Sequence, residues 1–166
     1  SGTISQSITL PTIPRASSLS FSGSFTMSSK STITINRASS SFTHTLKYSF
    51  GSKSETIGTG LGTSVDWTPS RELGKQIPSS TSGVGTLTLE TYSGSTHIGT
   101  STKTFTLWVA GDMYPTFTSL TLSGRNLGSD GSYVQSVSSI TATIVGATGS
   151  YGSTIASYSI SGHELN

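Results

Sequence analysis

The sequence predicts an all-β protein, and three of its features indicate this. Thr alternates with Ile, Leu, Val or Phe in several runs, among them STITIN at 31–36 and TFTLWV at 104–109. This alternation is typical of strands with one buried face. Clusters of Gly, Ser and Pro separate the runs, as turns between short strands require. A proline-led segment also occurs twice, as PRASSLSFSG at 14–23 and as PTFTSLTLSG at 115–124.

The composition excludes several classes of protein. Ser and Thr make up about two-fifths of the chain, a bias typical of disorder, but their regular alternation with apolar residues favours strands. Nine basic and seven acidic residues are spread without a basic stripe, so we expect no binding to nucleic acid. Without Cys there is no disulfide or thiolate metal site. No apolar run reaches the length of a membrane span, and no secretory signal opens the sequence.

The order of features around the two proline-led segments indicates an internal repeat. Each segment follows an alternating strand and a short connector. Each precedes a strand, a loop of small residues, an aromatic residue (Phe42 or Tyr151) and a strand that ends in Tyr-Ser-apolar. Low complexity alone would not preserve this order. The repeat is about a hundred residues long, which is the size of an immunoglobulin-like or fibronectin-like β-sandwich.

The repeat divides the chain into three parts. We expect residues 1–13 to be the last strand of a preceding module, 14–110 to form one immunoglobulin-like β-sandwich, and 111–166 to supply the first half of a second. Half a sandwich leaves one apolar face and a strand edge uncovered. We therefore expect either a continuation of the chain or a second chain to complete it.

Turn signals divide the full module into seven short strands. We place these strands near 17–21, 31–36, 42–50, 54–59, 63–67, 84–92 and 102–109. Alternation predicts that the core contains Leu19, Phe21, Ile33, Ile35, Phe42, Leu46, Tyr48, Phe50, Leu87, Leu89, Phe105, Leu107 and Val109. The intervening threonines then face outward, where they favour β structure and keep the sheet soluble.

One segment, DWTPSRELGKQIP at 66–78, does not read as a strand. Its helix signals are Thr68 as N-cap, Pro69 at the first helical position, Glu72 in the first turn and Gly74 as the stop. We expect a single helical turn, with Trp67 and Leu73 folded back onto the core.

Three stretches of the sequence resemble a known family. They are ITLPTIPRASSLS at 8–20, DWTPSRELGKQIPSSTSGVGTLTLETY at 66–92 and GSYGSTIASYSISG at 149–162. They resemble the minor structural proteins of tailed phages that infect streptococci and related Gram-positive bacteria. Those are tail-tip or host-adhesion proteins with tandem immunoglobulin-like modules joined by linkers of the LPTIPRAS type. The resemblance implies a virion protein of the phage tail, acting at the bacterial cell surface, with other virion proteins as partners.

The sequence predicts no catalytic residue, metal site or cofactor. His44 shares a face with Phe42 and Leu46 and is expected to be a partly buried strand residue, whereas His97 is expected to be solvated. GTGLGTS at 58–64 lacks the Lys of a phosphate loop and is predicted to be a hairpin connection, and SDGS at 129–132 is predicted to be a plain turn. A glycosidase would need two convergent carboxylates. Nothing favours any pair among Glu55, Asp66, Glu72 and Glu90.

Saccharide binding stays open, because β-sandwiches bind sugars through exposed aromatic side chains with polar groups around them. The candidate ligand-binding residues are Trp108, Trp67, Tyr92 and Arg71. For Trp108 we favour packing at the joint between modules, beside Met113 and Tyr114. For Trp67 we favour a core position.

We therefore expect a non-enzymatic structural or adhesion component of a phage tail, in which tandem sandwich modules space or present host-binding parts. One alternative is a carbohydrate-binding module that recognises host cell-wall saccharide. Another is a repeat of a bacterial surface adhesin. The sequence also leaves a homo-oligomer open.

Overall fold

The computed structural model describes residues 15–149 together with residues 155 and 157. The chain divides into two compact units, Ser1–Trp108 and Val109–Asn166. Strands dominate the described residues, with two short 3₁₀ helices between them. The predicted all-β class is confirmed.

The described part of the first unit, residues 15–108, contains eight strands and one 3₁₀ helix. The strands are β1 (Ser18–Ser20), β2 (Ser24–Thr26), β3 (Ser31–Asn36), β4 (Phe42–Phe50), β5 (Lys53–Leu61), β6 (Ser64–Trp67), β7 (Ser82–Ser93) and β8 (Thr96–Trp108). The 3₁₀ helix, Arg71–Gln76, connects β6 to β7. Each of the seven predicted strands has a counterpart, and β2 is additional.

These strands form two sheets. The smaller sheet has the order β1-β3-β6, and the larger has the order β2-β8-β7-β4-β5. Neighbouring strands are antiparallel except β2, which runs parallel to β8. The first two described strands thus belong to different sheets, because β1 pairs with β3 whereas β2 pairs with β8.

The core lies between the inner faces of the two sheets. Trp67 of β6 contacts the ring of Phe25 from β2, with ring centroids 5.0 Å apart. It also contacts Tyr48 of β4 at 5.0 Å and Phe105 of β8 at 5.4 Å. The smaller sheet therefore touches three strands of the larger one through a single indole.

Most of the predicted core residues are buried, as alternation requires. The confirmed positions are Leu19, Ile33, Ile35, Phe42, Leu46, Tyr48, Phe50, Leu87, Leu89, Phe105 and Leu107. Phe21 and Val109 are only half-buried. Each lies one residue past the end of its strand, where the alternation no longer holds.

Strand β2 was missed, and with it two core residues. Phe25 and Met27 are both buried. The strand is only three residues long, too short to show a period, and Gly23 before it and Ser28 after it both have positive φ. Its parallel partner β8 lies about eighty residues further along the chain, so no local pattern reveals the pairing.

The helical turn after Trp67 forms, but its predicted cap is wrong. Ser70, not Thr68, is the N-cap, and its hydroxyl accepts a hydrogen bond from the Glu72 amide. The helix also continues past Gly74 to Gln76. Pro69 therefore precedes the cap rather than opening the helix. As predicted, Trp67 and Leu73 are buried.

The segment GTGLGTS at 58–64 does not connect a hairpin. Gly58 to Leu61 belong to β5 of the larger sheet, and Gly62 and Thr63 lead directly into β6 of the smaller sheet. Since β5 and β6 lie in different sheets, the segment is a crossover. The glycines let the chain turn there, as Gly60 with a φ of 63° illustrates.

The second unit contains a short 3₁₀ helix, Gly111–Met113, and the strands β9 (Ser119–Arg125) and β10 (Ser139–Val145). The two strands pair antiparallel, with Leu120 opposite Ile144 and Leu122 opposite Ala142. Residues opposite each other share a face, so one face of this hairpin is apolar. Leu122 is 59% exposed. The strand predicted after Tyr151 lies outside the described residues.

Truncating a core side chain should destabilise the first unit strongly. Leu89 is fully buried on β7, so Leu89→Ala should lower the free energy of unfolding by about 3 kcal/mol through lost burial and the cavity left behind. Thr88→Ala, one residue away on the outer face, should cost less than about 1 kcal/mol. Urea unfolding followed by tryptophan fluorescence measures both. Equal losses would contradict the assignment of inner and outer faces.

Candidate functional site

The outer face of the larger sheet carries a dense array of hydroxyl groups. Alternation places every second side chain of β4, β7 and β8 on this face, away from the core. The residues are Thr43, Thr45, Lys47 and Ser49 from β4, Thr86, Thr88, Glu90 and Tyr92 from β7, and Thr100, Thr102, Thr104 and Thr106 from β8. This confirms the prediction that threonines face outward.

A charged and aromatic group lies at one end of this face. The Lys47 ammonium donates to Glu90 Oε1 at 2.9 Å, and the Tyr92 hydroxyl donates to Glu90 Oε2 at 3.2 Å. The Tyr92 ring lies 5.3 Å from the His97 ring, centroid to centroid, and His97 Nε2 is 3.0 Å from the Thr100 hydroxyl. Lys47, Glu90, Tyr92 and His97, which come from three strands, therefore form one row, and Thr100 adjoins its His97 end.

The hydrogen bonds of this row shift the pKa values of its members. The hydrogen bond from Lys47 is the main cause that lowers the pKa of Glu90, and the bond from Tyr92 adds to it. The same contact with Glu90 raises the pKa of Lys47. Burial, together with the bond to Glu90, raises the pKa of Tyr92. Near neutral pH the row therefore contains one ammonium, one carboxylate and one neutral phenol.

A shallow cleft adjoins Lys47 beside the point where β5 departs from regular pairing with β4, and the cleft itself lies over the regularly paired stretch of Lys47 to Ser49 against Ser54 to Thr56. The register between these strands shifts twice, between His44 and Leu46 and between Leu46 and Lys47. The cleft has a volume of about 250 Å³ and is lined by Lys47, Tyr48, Ser49, Ser54, Glu55, Thr56 and Thr88. Most of this lining is hydroxyl-bearing, so the cleft offers many hydrogen-bonding groups.

Trp108 lies at the opposite end of the same face. Its side chain is 44% exposed, and Val84 on the neighbouring strand is 70% exposed. Trp108 is opposite Ser82 at the start of β7, whereas Tyr92 lies near the end of that strand. About ten residues of extended strand therefore separate the two aromatic side chains, which is about 30 Å.

Arg71 lies at the Trp108 end. Its Nε donates to the Ser28 hydroxyl at 2.8 Å, and Ser28 follows Thr26, which is the register partner of Trp108. Trp67 lies elsewhere, in the core between the sheets. The four residues singled out from the sequence thus do not form one site.

The Lys47–Glu90 pair was not recognised from the sequence. Lys47 and Glu90 lie about forty residues apart in the chain, and only the register of β4 against β7 brings them together. The weak signal available was that both are charged residues at outward positions of alternating strands.

A second polar cluster is buried inside the unit. His44 is 0% exposed, and its Nε2 lies 2.7 Å from the Ser17 hydroxyl, while its Nδ1 lies 2.9 Å from the Leu61 carbonyl oxygen. The Ser17 amide donates to the Thr91 hydroxyl, and the Ser101 hydroxyl donates to the Ser17 carbonyl. Every polar group of Ser17 therefore has a partner from the larger sheet.

The Ser17–His44 contact has the length of a nucleophile–base pair, but it is sealed from solvent. Ser17 is buried like His44, so no substrate reaches the hydroxyl. The partner of His44 Nδ1 is the Leu61 backbone carbonyl, whereas a catalytic triad has a carboxylate at this position. The cluster instead fixes the segment before β1 to β4, β7 and β8.

The carboxylates discussed for a glycosidase each have a separate partner. These contacts are Glu55 with Tyr48, Asp66 with Thr32 and Lys30, Glu72 with Lys75, and Glu90 with Lys47. Within residues 15–149, 155 and 157, no group of three or more His, Asp or Glu side chains could hold a metal ion. SDGS forms the predicted turn, in which Asp130 accepts from the Ser132 amide at 2.9 Å.

A comparison with known protein families identifies the origin of the chain. A family model described as a siphovirus protein of unknown function, DUF859, matches residues 2–161. The chain belongs to this siphovirus family. The membership indicates a phage structural protein. No curated protein sequence matches the chain.

The described part of this siphovirus protein contains no helix that is long and apolar enough to cross a membrane.

Removing the Ser17 hydroxyl should destabilise the siphovirus protein. Ser17→Ala leaves His44 Nε2 without its partner inside the core, which should lower the free energy of unfolding by about 1–3 kcal/mol. The exposed Ser18 of β1 provides the matched control, and Ser18→Ala should change stability by less than about 0.5 kcal/mol. Urea unfolding of both variants checks this. A Ser17→Ala variant as stable as wild type would show that the buried cluster is not needed.

Tyr48 should ionise at a higher pH than an ordinary tyrosine. Burial, together with the hydrogen bond to Glu55, raises its pKa from 10.0 to about 12. Because the folded pKa lies above the unfolded one, the stability that Tyr48 contributes is complete below pH 10 and is lost as the pH rises towards 12. A pH titration followed by absorbance at about 295 nm measures tyrosinate formation. Tyr48→Phe should remove the ionisation step that occurs at the highest pH. If that step persists in the variant, Tyr48 does not cause it.

Proposed function

We propose that this chain is a non-enzymatic structural or adhesion component of the siphovirus tail, built from tandem immunoglobulin-like modules. The match to siphovirus proteins over residues 2–161 carries the proposal. It favours a phage protein over a repeat of a bacterial surface adhesin. The partners we propose are other virion proteins, with the host cell surface as the place of action.

The strand order of the first unit supports the immunoglobulin-like assignment. In such sandwiches the second and fifth strands of the common core pair in one sheet, and the third, sixth and seventh pair in the other. The sheets β1-β3-β6 and β2-β8-β7-β4-β5 have this arrangement if β3 is taken as the second strand and β5 as the extra strand of variable-type domains. The cross-sheet contacts of Trp67 fit the buried tryptophan expected between such sheets, although it comes from a different strand.

The second unit supports the tandem arrangement. Leu19 of β1 lies opposite Ile35 of β3, and Leu120 of β9 lies opposite Ile144 of β10. Leu19 and Leu120 occupy the same position in the two proline-led segments. Both segments therefore begin an antiparallel pair with a leucine opposite an isoleucine, although the partners lie 16 residues apart in the first unit and 24 apart in the second. They differ in that residues 126–138 contain turns where the first unit has β2.

The burial of the Ser17–His44 pair and the separate partners of the carboxylates support a non-enzymatic role. The Ser17–His44 contact is buried, and the four carboxylates mentioned above are each engaged with a different partner. A rod of sandwiches needs no catalytic group, since its task is to hold other parts of the tail at a distance.

Immunogold electron microscopy of intact particles tests the proposed location. Antibodies raised against the full chain should label the tail of the phage that encodes it, and pre-adsorption with the purified chain should abolish the label. Label confined to the capsid, or found in infected-cell lysate but absent from purified particles, would contradict a tail component.

A further inference from the structure

The row formed by Lys47, Glu90, Tyr92 and His97 is linked by side-chain contacts across three strands, and it adjoins the cleft beside Lys47. We propose that this end of the outer face binds a neutral saccharide. The site, called the Tyr92 patch below, consists of Lys47, Thr88, Glu90, Tyr92 and His97 together with the cleft between β4 and β5.

The patch has unused hydrogen-bonding capacity of the kind that sugar hydroxyls need. A carboxylate offers about four acceptor positions, and within the described residues Glu90 accepts one bond on each oxygen. An ammonium has three donors, and Lys47 directs one of them to Glu90. A sugar hydroxyl both donates and accepts, so it can bridge the two groups.

The charges of the patch favour a neutral ligand over an anionic one. Lys47 and Glu90 form an ion pair at 2.9 Å, so their net charge is zero, and Glu55 in the lining of the cleft adds a further carboxylate. An anionic polymer would gain no net attraction and would meet the Glu90 carboxylate. A neutral sugar encounters no such repulsion, and it still gains charge-assisted hydrogen bonds from both groups.

The aromatic and hydroxyl groups are held in place before a ligand arrives. The Tyr92 hydroxyl is fixed by Glu90 and its ring by the contact with His97. Threonine side chains are branched at Cβ and have few rotamers, so Thr88 loses little freedom on binding. Preorganised groups lower the entropic cost of association.

The dimensions suit a short stretch of saccharide. The cleft of about 250 Å³ is large enough for one sugar ring. From β5 across β4 and β7 to β8 the patch spans four strands, which is about 15 Å at the usual strand spacing. Additional rings would lie over the threonines of β7 and β8, where Thr102 is opposite Thr88.

The inference depends on the proposed function only for its biological setting, since display on a tail would place the patch near host cell-wall saccharide. Binding itself is a property of the isolated chain. The chain also offers a matched control, because Trp108 is exposed on the same face at the far end.

The test uses the full chain on a printed array of neutral oligosaccharides that contain glucose, galactose, mannose or N-acetylglucosamine, beside polyglycerol phosphate as the anionic probe. We expect saturable binding to at least one neutral oligosaccharide and none to polyglycerol phosphate. Calorimetric titration of that oligosaccharide should show that Tyr92→Ala and Glu90→Gln each weaken binding about tenfold or more. Trp108→Ala should change it by less than about twofold.

Thermal melting of each variant shows whether it is folded, so that a loss of binding is not confused with a loss of structure. If Tyr92→Ala does not fold, Tyr92→Phe retains the ring and removes only the hydrogen bond to Glu90, and it should still weaken binding. The proposal is overturned if no neutral oligosaccharide binds or if only polyglycerol phosphate binds. It is also overturned if folded Tyr92 and Glu90 variants bind like wild type, or if Trp108→Ala is the change that abolishes binding.

The two proposals fail separately. Tail labelling without glycan binding would refute the saccharide site and keep the tail component. Glycan binding by a chain absent from particles would refute the tail component and keep the site.

Discussion

The contact of Trp67 with the rings of the opposite sheet is the interaction on which the first unit depends. Only 31% of the residues are hydrophobic, so the core must be built from a few large side chains, each of which buries 150–250 Å² as a rule. Trp67 joins β6 to Phe25, Tyr48 and Phe105 at centroid distances of 5.0 to 5.4 Å. The 3₁₀ helix that follows immediately is anchored by buried Leu73. The crossover from β5 to β6 is therefore fixed at its end by the same residue that closes the core.

The core lies between the inner faces of the two sheets, so it does not require apolar side chains on the outer face of the larger sheet. Threonine fills it, because a β-branched hydroxyl residue favours strands and remains soluble without charge. This explains how a chain with only 10% charged residues keeps an exposed sheet. The same freedom allows Lys47, Glu90 and Tyr92 to form an ordered polar row.

The alternation of apolar and polar residues was sufficient to predict most strands and their inner faces. This pattern can be read from neighbouring residues alone, without knowledge of which strands pair. Local signals failed where long-range pairing decides the structure. Strand β2 is too short to show a period and is defined by β8. The N-cap fell on Ser70 rather than Thr68, since several adjacent residues could cap the same turn. The pair of Lys47 with Glu90 depends on the register of β4 against β7, which alternation alone does not provide.

The most direct test of this account is a nuclear Overhauser spectrum of the folded chain with the Trp67 indole protons assigned. The account predicts cross-peaks from the indole to the rings of Phe25, Tyr48 and Phe105, since these rings come from three strands of the opposite sheet. Absence of those cross-peaks, together with tryptophan emission from Trp67 at the wavelength of an indole in water, would show that the two sheets do not close on each other.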